Sequence, residues 1–300
     1  MDAIAAEPPA KTCMTVGDLL NRSRRTLALA GIDTAALEAA WLLEKALQTT
    51  GLKLHTERSR VLTEPECVEA ETLVARRAAR EPLQYILGSQ EFCGLDFEVN
   101  SAVLIPRSDT EFLVEESCQA LIGKDAAVIA DVGTGSGCLA VTLAARLPSA
   151  KIYAVDCSSI ALAVAERNIV RHSVQGNVTC VPGDCCSPLE CIGLAGRVDV
   201  IVSNPPYIAE QEWHALQPEI RDFEPRGALV AGPTGIEVLG RLIDQAWRFL
   251  APGGWLFMEI GKGQSHAVCL FAVQSGRYAE PTVRVDTAGI DRIVRLQSLR

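Results

Sequence analysis

From about residue 111 the chain alternates two periodicities, and that alternation limits its fold more than any other feature. Five short apolar runs, AVIADVG, KIYAVD, VTCVPGD, VDVIVSN and GWLFMEIG, each end in Gly, Asp or Asn. Helical patterns over residues 139–146, 160–171 and 236–250 stand between them. Runs this short and this apolar fit strands buried on both faces, and a helix between consecutive strands carries the chain back for parallel pairing. The expectation is an α/β fold with a mostly parallel, Rossmann-like sheet covered by helices.

The first eighty residues have a different rhythm. Apolar residues recur at helical spacing over residues 15–30 (Val16, Leu19, Leu20, Leu27), with Gly31 as a stop. A second run opens at Asp33 and carries Leu37, Trp41, Leu42 and Leu47 to an end near Gly51; a third extends from Pro65 to about Arg80. Between Tyr85 and Val103 the period falls to two, with Phe92, Leu95, Phe97 and Val99 around a Cys-Gly turn, which predicts a β-hairpin. The expected organisation is an N-terminal helical domain over 1–84, a hairpin linker over 85–108 and the α/β domain over 109–300.

Charge narrows the function. Residues 1–80 hold eleven basic and eleven acidic side chains, so the net charge of −9 falls entirely on the remainder. Proteins that grip DNA through its phosphates carry the opposite sign, so no stable nucleic-acid partner is expected. Arg22, Arg24, Arg25, Arg76, Arg77 and Arg80 form either a basic face or an ordinary solvated helix surface. No run approaches the roughly 18 apolar residues of a membrane span. The start, MDAIAAEPPAKTCMT, has neither a secretory nor a transit pattern, which points to the cytoplasm. The eleven cysteines are scattered, as free thiols in a reducing compartment would be. Cys180, Cys185, Cys186 and Cys191 cluster but lack zinc-ligand pairing, so no metal is expected.

The sharpest local signal is Asp131-Val-Gly-Thr-Gly-Ser-Gly137, between an apolar strand and a helix. Gly133, Gly135 and Gly137, with Thr134 and Ser136 between them, let backbone turn tightly and approach a ligand. A dinucleotide fingerprint needs glycine at 138, which is Cys138, and the loop lacks the Lys of a phosphate-binding P-loop. A nucleoside without pyrophosphate, such as S-adenosylmethionine, fits better. Asp156 ends the next strand, about twenty residues on, where a carboxylate accepts from ribose hydroxyls. Asp184 ends the strand after that, within reach of an adenine amino group. Asp131 also has a purely structural reading, holding loop amides.

A later strand runs into Asn204-Pro205-Pro206-Tyr207. Consecutive prolines remove two backbone donors, so the loop cannot continue a ladder and its carbonyls remain acceptors. Such a loop is either a plain turn or a receptor for a planar NH₂ group. In the second reading the Asn204 side-chain oxygen and the Pro205 carbonyl each take one N–H, and Tyr207 packs on the plane of the group. The nitrogen's face then points at a methyl sulfonium.

The segments RRAAREPLQYILGSQEFCGLDFEVNSAVLIPRSDTEFLVEE, DVGTGSGCLAV, VSNPPYI, FEPRGALVAGPTGIEVLGRLI and LAPGGWLFMEIGKGQ resemble the protein-(glutamine-N5) methyltransferases that modify peptide-chain release factors, the HemK/PrmC type. The tetrapeptide is shared with other amino-group methyltransferases. The Gln84-Tyr85-Ile86, Ile105-Pro106-Arg107 and Phe223-Glu224-Pro225-Arg226 segments are more specific. The resemblance implies a class I S-adenosylmethionine-dependent methyltransferase fold and a substrate glutamine in the release factors' Gly-Gly-Gln loop. It implies cofactor contacts at Gly133 through Gly137, Asp156 and Asn204, and glutamine contacts at Asn204 through Tyr207; Asp184, from its strand end, and Cys185 after it complete the expected cofactor set. The helical domain would grip the release factor. One departure is Cys185-Cys186, where the family commonly has Trp-Phe, so an aromatic face beside the adenine is missing.

Two alternatives share the chemistry: a glutamine methyltransferase of a ribosomal protein, and a nucleic-acid amino methyltransferase. The latter needs a basic track and stacking aromatics, whereas this chain is 5% aromatic and acidic where the catalytic domain lies. A non-enzymatic nucleotide sensor would not need Asn204 and Tyr207 intact. His55, His172, His214 and His266 lack partner carboxylates at helical spacing. Trp41 and Trp247 read as core, and Arg107 and Glu111 as supports of the pocket rim.

Overall fold

The computed structural model describes residues 14–300, and its contacts divide the chain into two compact units between Leu87 and Gly88. The first unit is helical: α1 (Val16–Leu29), α2 (Ala35–Ala46), α3 (Gly51–Thr56), α4 (Glu64–Ala78) and α5 (Leu83–Leu87). Its two main entries are capping boxes. Thr15 and Asp18 exchange side-chain and backbone hydrogen bonds at the start of α1, and Thr63 and Glu66 do so at α4. Each threonine satisfies an orphan helix amide, and alanine in its place costs about 1 kcal/mol.

Leu19, Leu27, Leu42, Leu43, Leu73 and Ile86 fill this unit's own core. Inside it the Arg77 Nε donates to Glu38 Oε2 at 2.5 Å, tying α4 to α2. Removing one partner of such a buried pair strands the other charge, at about 3–5 kcal/mol. Four of the six N-terminal arginines are engaged within the unit: Arg77 is buried, Arg22 pairs with Glu71, Arg76 with Glu81, and Arg80 donates to the Gly31 carbonyl, while Arg24 and Arg25 are exposed. Three of those four are matched by acidic partners, as on an ordinary helix surface. Two further expectations need correction. Gly51 opens a short helix rather than ending one, and Trp41 is 40% exposed, so it is not core.

The second unit begins with a hairpin, β1 (Ser89–Phe92) and β2 (Leu95–Glu98). Cys93 and Gly94 at its tip both have positive φ, which matches the twist of a two-residue turn. Phe92 and Phe97 meet edge to face at 6.1 Å and are buried with Leu113, Leu139 and Ile169. The hairpin is therefore part of this unit's core.

The remaining strands are β3 (Val128–Val132), β4 (Lys151–Asp156), β5 (Val178–Pro182), β6 (Val198–Ser203), β7 (Ile208–Ala209), β8 (Val230–Gly232), β9 (Leu250–Glu259), β10 (Thr282–Val285) and β11 (Asp291–Gln297). The helices are α6 (Glu111–Ala120), α7 (Cys138–Arg146), α8 (Ser159–Arg171), α9 (Pro188–Cys191), α10 (Pro218–Phe223), α11 (Glu237–Ala246) and α12 (Ser265–Ser275). Seven strands form one sheet in the order β10-β11-β9-β6-β3-β4-β5; β9 through β5 pair in parallel and β11 antiparallel.

Alternate residues of each strand enter opposite cores. Ile129, Val200, Val202 and Phe257 pack on the side of α6 and α7, while Ala130, Ile201, Leu256 and Met258 pack on the side of α11 and α12. Both faces are buried, which is why the runs lack polar alternation. From β3 the chain builds outward to β5 and then crosses back to β6. The reversal leaves a crevice at the carboxyl ends of β3, β4 and β6, where open α/β sheets bind ligands. One helix is shorter than its periodicity predicts. α11 stops at Ala246, and Leu250 already begins β9, whose irregular register against β6 absorbs the Pro252-Gly253-Gly254 stretch.

Candidate cofactor and acceptor site

A cavity of about 480 Å³ opens at that crevice, within the range of small-molecule sites. The glycine loop, Asp156, Asp184, Cys185, Asn204, Pro205 and Pro206 border it, with apolar walls that include Val103, Leu139 and Leu242. One concavity thus gathers residues from four strand ends.

The loop after β3 is held from within. The Gly133 and Thr134 amides both donate to the Val155 carbonyl, and the Gly135 amide donates to Asp156 Oδ2 at 2.9 Å. Gly135 has φ +55 with open space where a Cβ would stand, whereas at Gly137, φ +80, a Cβ would press on Ala165 at 3.1 Å. Asp156 Oδ1 accepts the Ser158 amide at 2.9 Å. A carboxylate has about four acceptor positions, so Asp156 keeps two for a ribose diol. Asp131 is fully buried and lies behind the loop, accepting the Thr134 hydroxyl at 2.6 Å and the Ala140 amide at 3.1 Å. Burial pushes its carboxyl up to about 7.

Asp184 borders the cavity, but its carboxylate is engaged by Arg241 at 2.6 Å, both side chains being half exposed. Cys185 is buried at φ +49, and burial pushes its thiol up to about 11. It presents a small, neutral surface. Cys186 sits deeper in the core and Cys191 is exposed. Among the described residues no three His, Cys, Asp or Glu side chains are arranged to hold a metal. The loop geometry, the open carboxylate positions of Asp156 and the apolar walls fit a nucleoside-bearing cofactor.

The other end of the cavity is built from side chains. Asn204 Nδ2 donates to the Thr110 hydroxyl at 2.9 Å, and Thr110 donates to Glu259 Oε2 at 2.7 Å. The Tyr207 hydroxyl donates to Glu259 Oε1 at 3.2 Å. Thr110 comes from a single 3₁₀ turn before α6 and Glu259 from the last position of β9. With Nδ2 occupied, Asn204 Oδ1 remains as an acceptor, and among the described residues no donor reaches it or the Pro205 carbonyl. The Tyr207 ring lies beside Gly261, and its carbonyl accepts from Gln264 at 2.8 Å. Tyr207 therefore anchors the loop and is absent from the cavity wall.

Burial pushes Glu259 up to about 7 against the pull of Thr110, Tyr207 and Arg292. The Tyr207 hydroxyl is raised further still from its ordinary value, by burial and the adjacent carboxylate. The rim has a buried acid of its own. Glu224 pairs with Arg107 and accepts the Ile105 amide at 3.3 Å, joining the Ile-Pro-Arg and Phe-Glu-Pro-Arg segments. Burial raises Glu224, with Arg107 opposing. Glu111 supports the hairpin, accepting the Cys93 amide at 2.9 Å. His172 is structural, packed on Phe97 and bonded to the Asp96 carbonyl. Sequence reasoning misses Thr110 and Glu259, and it marks Glu224 only as part of a family-specific segment, with no role. Glu259 carried a signal all the same: it is the one charge in GWLFMEIG and stands at a strand's carboxyl end, as Asp131 and Asp156 do.

Comparison with known proteins agrees with this geometry. Residues 18–88 match the PrmC N-terminal domain and residues 108–220 the methyltransferase small domain. A release factor glutamine methyltransferase of Geobacter sulfurreducens is 44% identical over 93% of this chain and 95% of its own length. One from Nitratidesulfovibrio vulgaris is 41% identical over 96% of each. The chain belongs to the release factor glutamine methyltransferase family. It is thus an S-adenosylmethionine-dependent enzyme with a class I methyltransferase fold. Among solved structures, the hMettl16 catalytic domain, crystallised with a MAT2A 3′UTR hairpin, superposes with a TM-score of 0.54 at 19% identity. That match covers 80% of this chain and 85% of the other, and it supports the fold alone. Among the described residues no helix is long and apolar enough to cross a membrane.

Proposed function

We propose that the protein methylates the side-chain amide nitrogen of the glutamine in the Gly-Gly-Gln loop of peptide-chain release factors, in the cytoplasm where those factors act. The observation that carries this reading is the pair of uncommitted acceptors, Asn204 Oδ1 and the Pro205 carbonyl, at one end of a nucleoside-sized cavity. A primary carboxamide offers two in-plane N–H donors, which suits two acceptors side by side.

Bound S-adenosylmethionine supplies a methyl carbon already activated by its sulfonium sulfur, which leaves as a neutral thioether. Asp156 would hold the ribose hydroxyls, the glycine loop would let the cofactor approach the backbone, and Cys185 with Leu242 would give an apolar wall for the base. Asn204 and Pro205 hold the glutamine nitrogen so that its face points along the line of transfer. An amide nitrogen is a poor nucleophile, and such alignment supplies about 7–11 kcal/mol in favourable cases. As the C–N bond forms, the nitrogen becomes cationic and its two N–H bonds to the acceptors strengthen. One of those protons then departs to water.

The helical first unit is the proposed docking surface for the release factor. It has a core of its own, as does the second unit. A chain beginning at Gly88 is expected to bind cofactor and fail on intact release factor. Normal methylation by that chain would contradict the docking role.

The test of the function is incubation of the purified enzyme and labelled cofactor with release factor, ribosomal proteins and DNA side by side. Mass spectrometry should place the methyl on the Gly-Gly-Gln glutamine. A methyl on a ribosomal glutamine or a base would overturn the assignment.

A further inference from the structure

The Asn204 side chain fills the same space in either amide orientation, yet only one orientation turns oxygen toward the cavity. We infer that Thr110 and Glu259 are positioning residues that set this orientation, through a one-way relay of hydrogen bonds from Asn204 to a buried carboxylate. The inference rests on the reading of Asn204 as the glutamine acceptor.

The logic is a count of protons. Ionised Glu259 has none to give, so it accepts the single hydroxyl proton of Thr110 at 2.7 Å. Thr110 then faces Asn204 with a lone pair, and Asn204 must answer with Nδ2, at 2.9 Å. Oδ1 is left for the cavity. Tyr207 donates to the other carboxylate oxygen, and among the described residues Thr110 is the one side chain that donates to Oε2. Glu259 is 1% exposed and Thr110 2% exposed, so water does not scramble the directions. Linked bonds ending on a charge also polarise one another, which makes Oδ1 a stronger acceptor as the substrate nitrogen turns cationic.

The neutral acid no longer enforces one direction. Its proton can point at Thr110, whose own hydroxyl then turns toward Asn204. The amide must rotate to accept it, and Nδ2 then meets the substrate NH₂ donor to donor. The charges around Glu259 come from several elements. Arg292 on β11 attracts it, while itself pairing with Asp286 at 2.9 Å and Asp109 at 3.4 Å. Asp109, beside Thr110, repels it, and the Tyr207 hydroxyl it accepts also feels Arg107. Burial outweighs Arg292 and brings the carboxyl up to about 7, so both states are reached near neutrality.

The experiment measures single-turnover methylation of intact release factor and cofactor affinity, across pH, in full-length variants. Thr110→Val should slow the step about tenfold or more while cofactor affinity stays within about twofold. Thr110→Ser, which keeps the hydroxyl, should restore the rate. The wild-type rate should climb as pH rises through Glu259's titration, and Glu259→Gln should be slow with that acidic limb flattened. A Thr110→Val enzyme at wild-type rate overturns the inference. So does an equal loss in the Ser and Val variants, which would mean packing, or an unaltered pH profile in Glu259→Gln. Should Glu259→Gln fail to bind cofactor, the Thr110 pair decides alone. An Asn204→Ala enzyme that still methylates would sink the acceptor reading itself. An inactive Asn204→Ala beside an active Thr110→Val would sink only the relay.

Discussion

At the glycine-loop end of the cavity, backbone amides hold the functional groups: Gly135 and Ser158 fix both oxygens of Asp156, and the Val155 carbonyl pins the loop itself. At the asparagine end, side chains from three separated segments hold one another, Asn204 on Thr110, Thr110 and Tyr207 on Glu259. The first arrangement depends on two short stretches of chain. The second depends on residues 94 and 149 positions apart and runs through a buried acid, Glu259, that is itself part of the hydrogen-bond chain to Asn204. A cofactor common to many reactions needs only a rigid cradle. An amide must be recognised by acceptors rather than donors, and that requires control of where protons lie.

The contrast breaks first at Asn204. Asn204→Ala should cut turnover at least about 100-fold with cofactor affinity nearly intact, since it removes the acceptor and its share of the alignment. Parallel losses of affinity and rate, measured by calorimetry and single turnover, would erase the division between the two ends. Asp156→Ala should do the reverse. It should weaken cofactor binding about 10–100-fold, as expected for lost hydrogen bonds to a charged group, with the rate at saturating cofactor largely kept.

Stability offers a finer separation. Glu259 titrates at about 7 in the folded chain, above the ordinary glutamate value near 4.3. The folded state therefore holds this proton more tightly. Its stabilising contribution is full below about pH 4 and is lost as pH rises through 7. Glu259→Gln should gain Tm over wild type at about pH 8.5 and show little difference at about pH 5. A gain of equal size at both values would contradict burial of an ionising carboxyl, while the same variant loses activity. The smallest effect is expected at Arg241. Arg241→Ala breaks only a half-exposed pair with Asp184, worth about 0–1 kcal/mol, so cofactor affinity should move by less than about fivefold. A larger loss would give Arg241 a direct part in binding.

Much of this was legible in the sequence where local order carries the information. Strand ends at Asp131 and Asp156 and the loop between them follow from runs, glycines and spacing within thirty residues. The Asn-Pro-Pro-Tyr loop announces its free carbonyls through the missing donors of Pro205 and Pro206. The roles of Thr110 and Glu224 are not legible, because each acquires its meaning only by a contact more than 90 residues away. Glu259 is masked by its apolar strand, since one acid among Trp255, Leu256, Phe257 and Met258 barely alters the pattern. Trp41 fell on an apolar helical spacing, yet Leu42 and Leu43 take the buried positions and the ring stays half outside. The helical periodicity runs to Leu250, yet the helix ends at Ala246, and Leu250 pairs with Val198 of β6 instead.

The most direct measurement is a high-resolution crystal structure of the enzyme with spent cofactor and a release factor carrying its Gly-Gly-Gln loop. The glutamine nitrogen should lie about 3 Å from both Asn204 Oδ1 and the Pro205 carbonyl, with Thr110 still between Asn204 and Glu259. A glutamine bound through its oxygen to Asn204 Nδ2, or held away from the tetrapeptide altogether, would contradict the account.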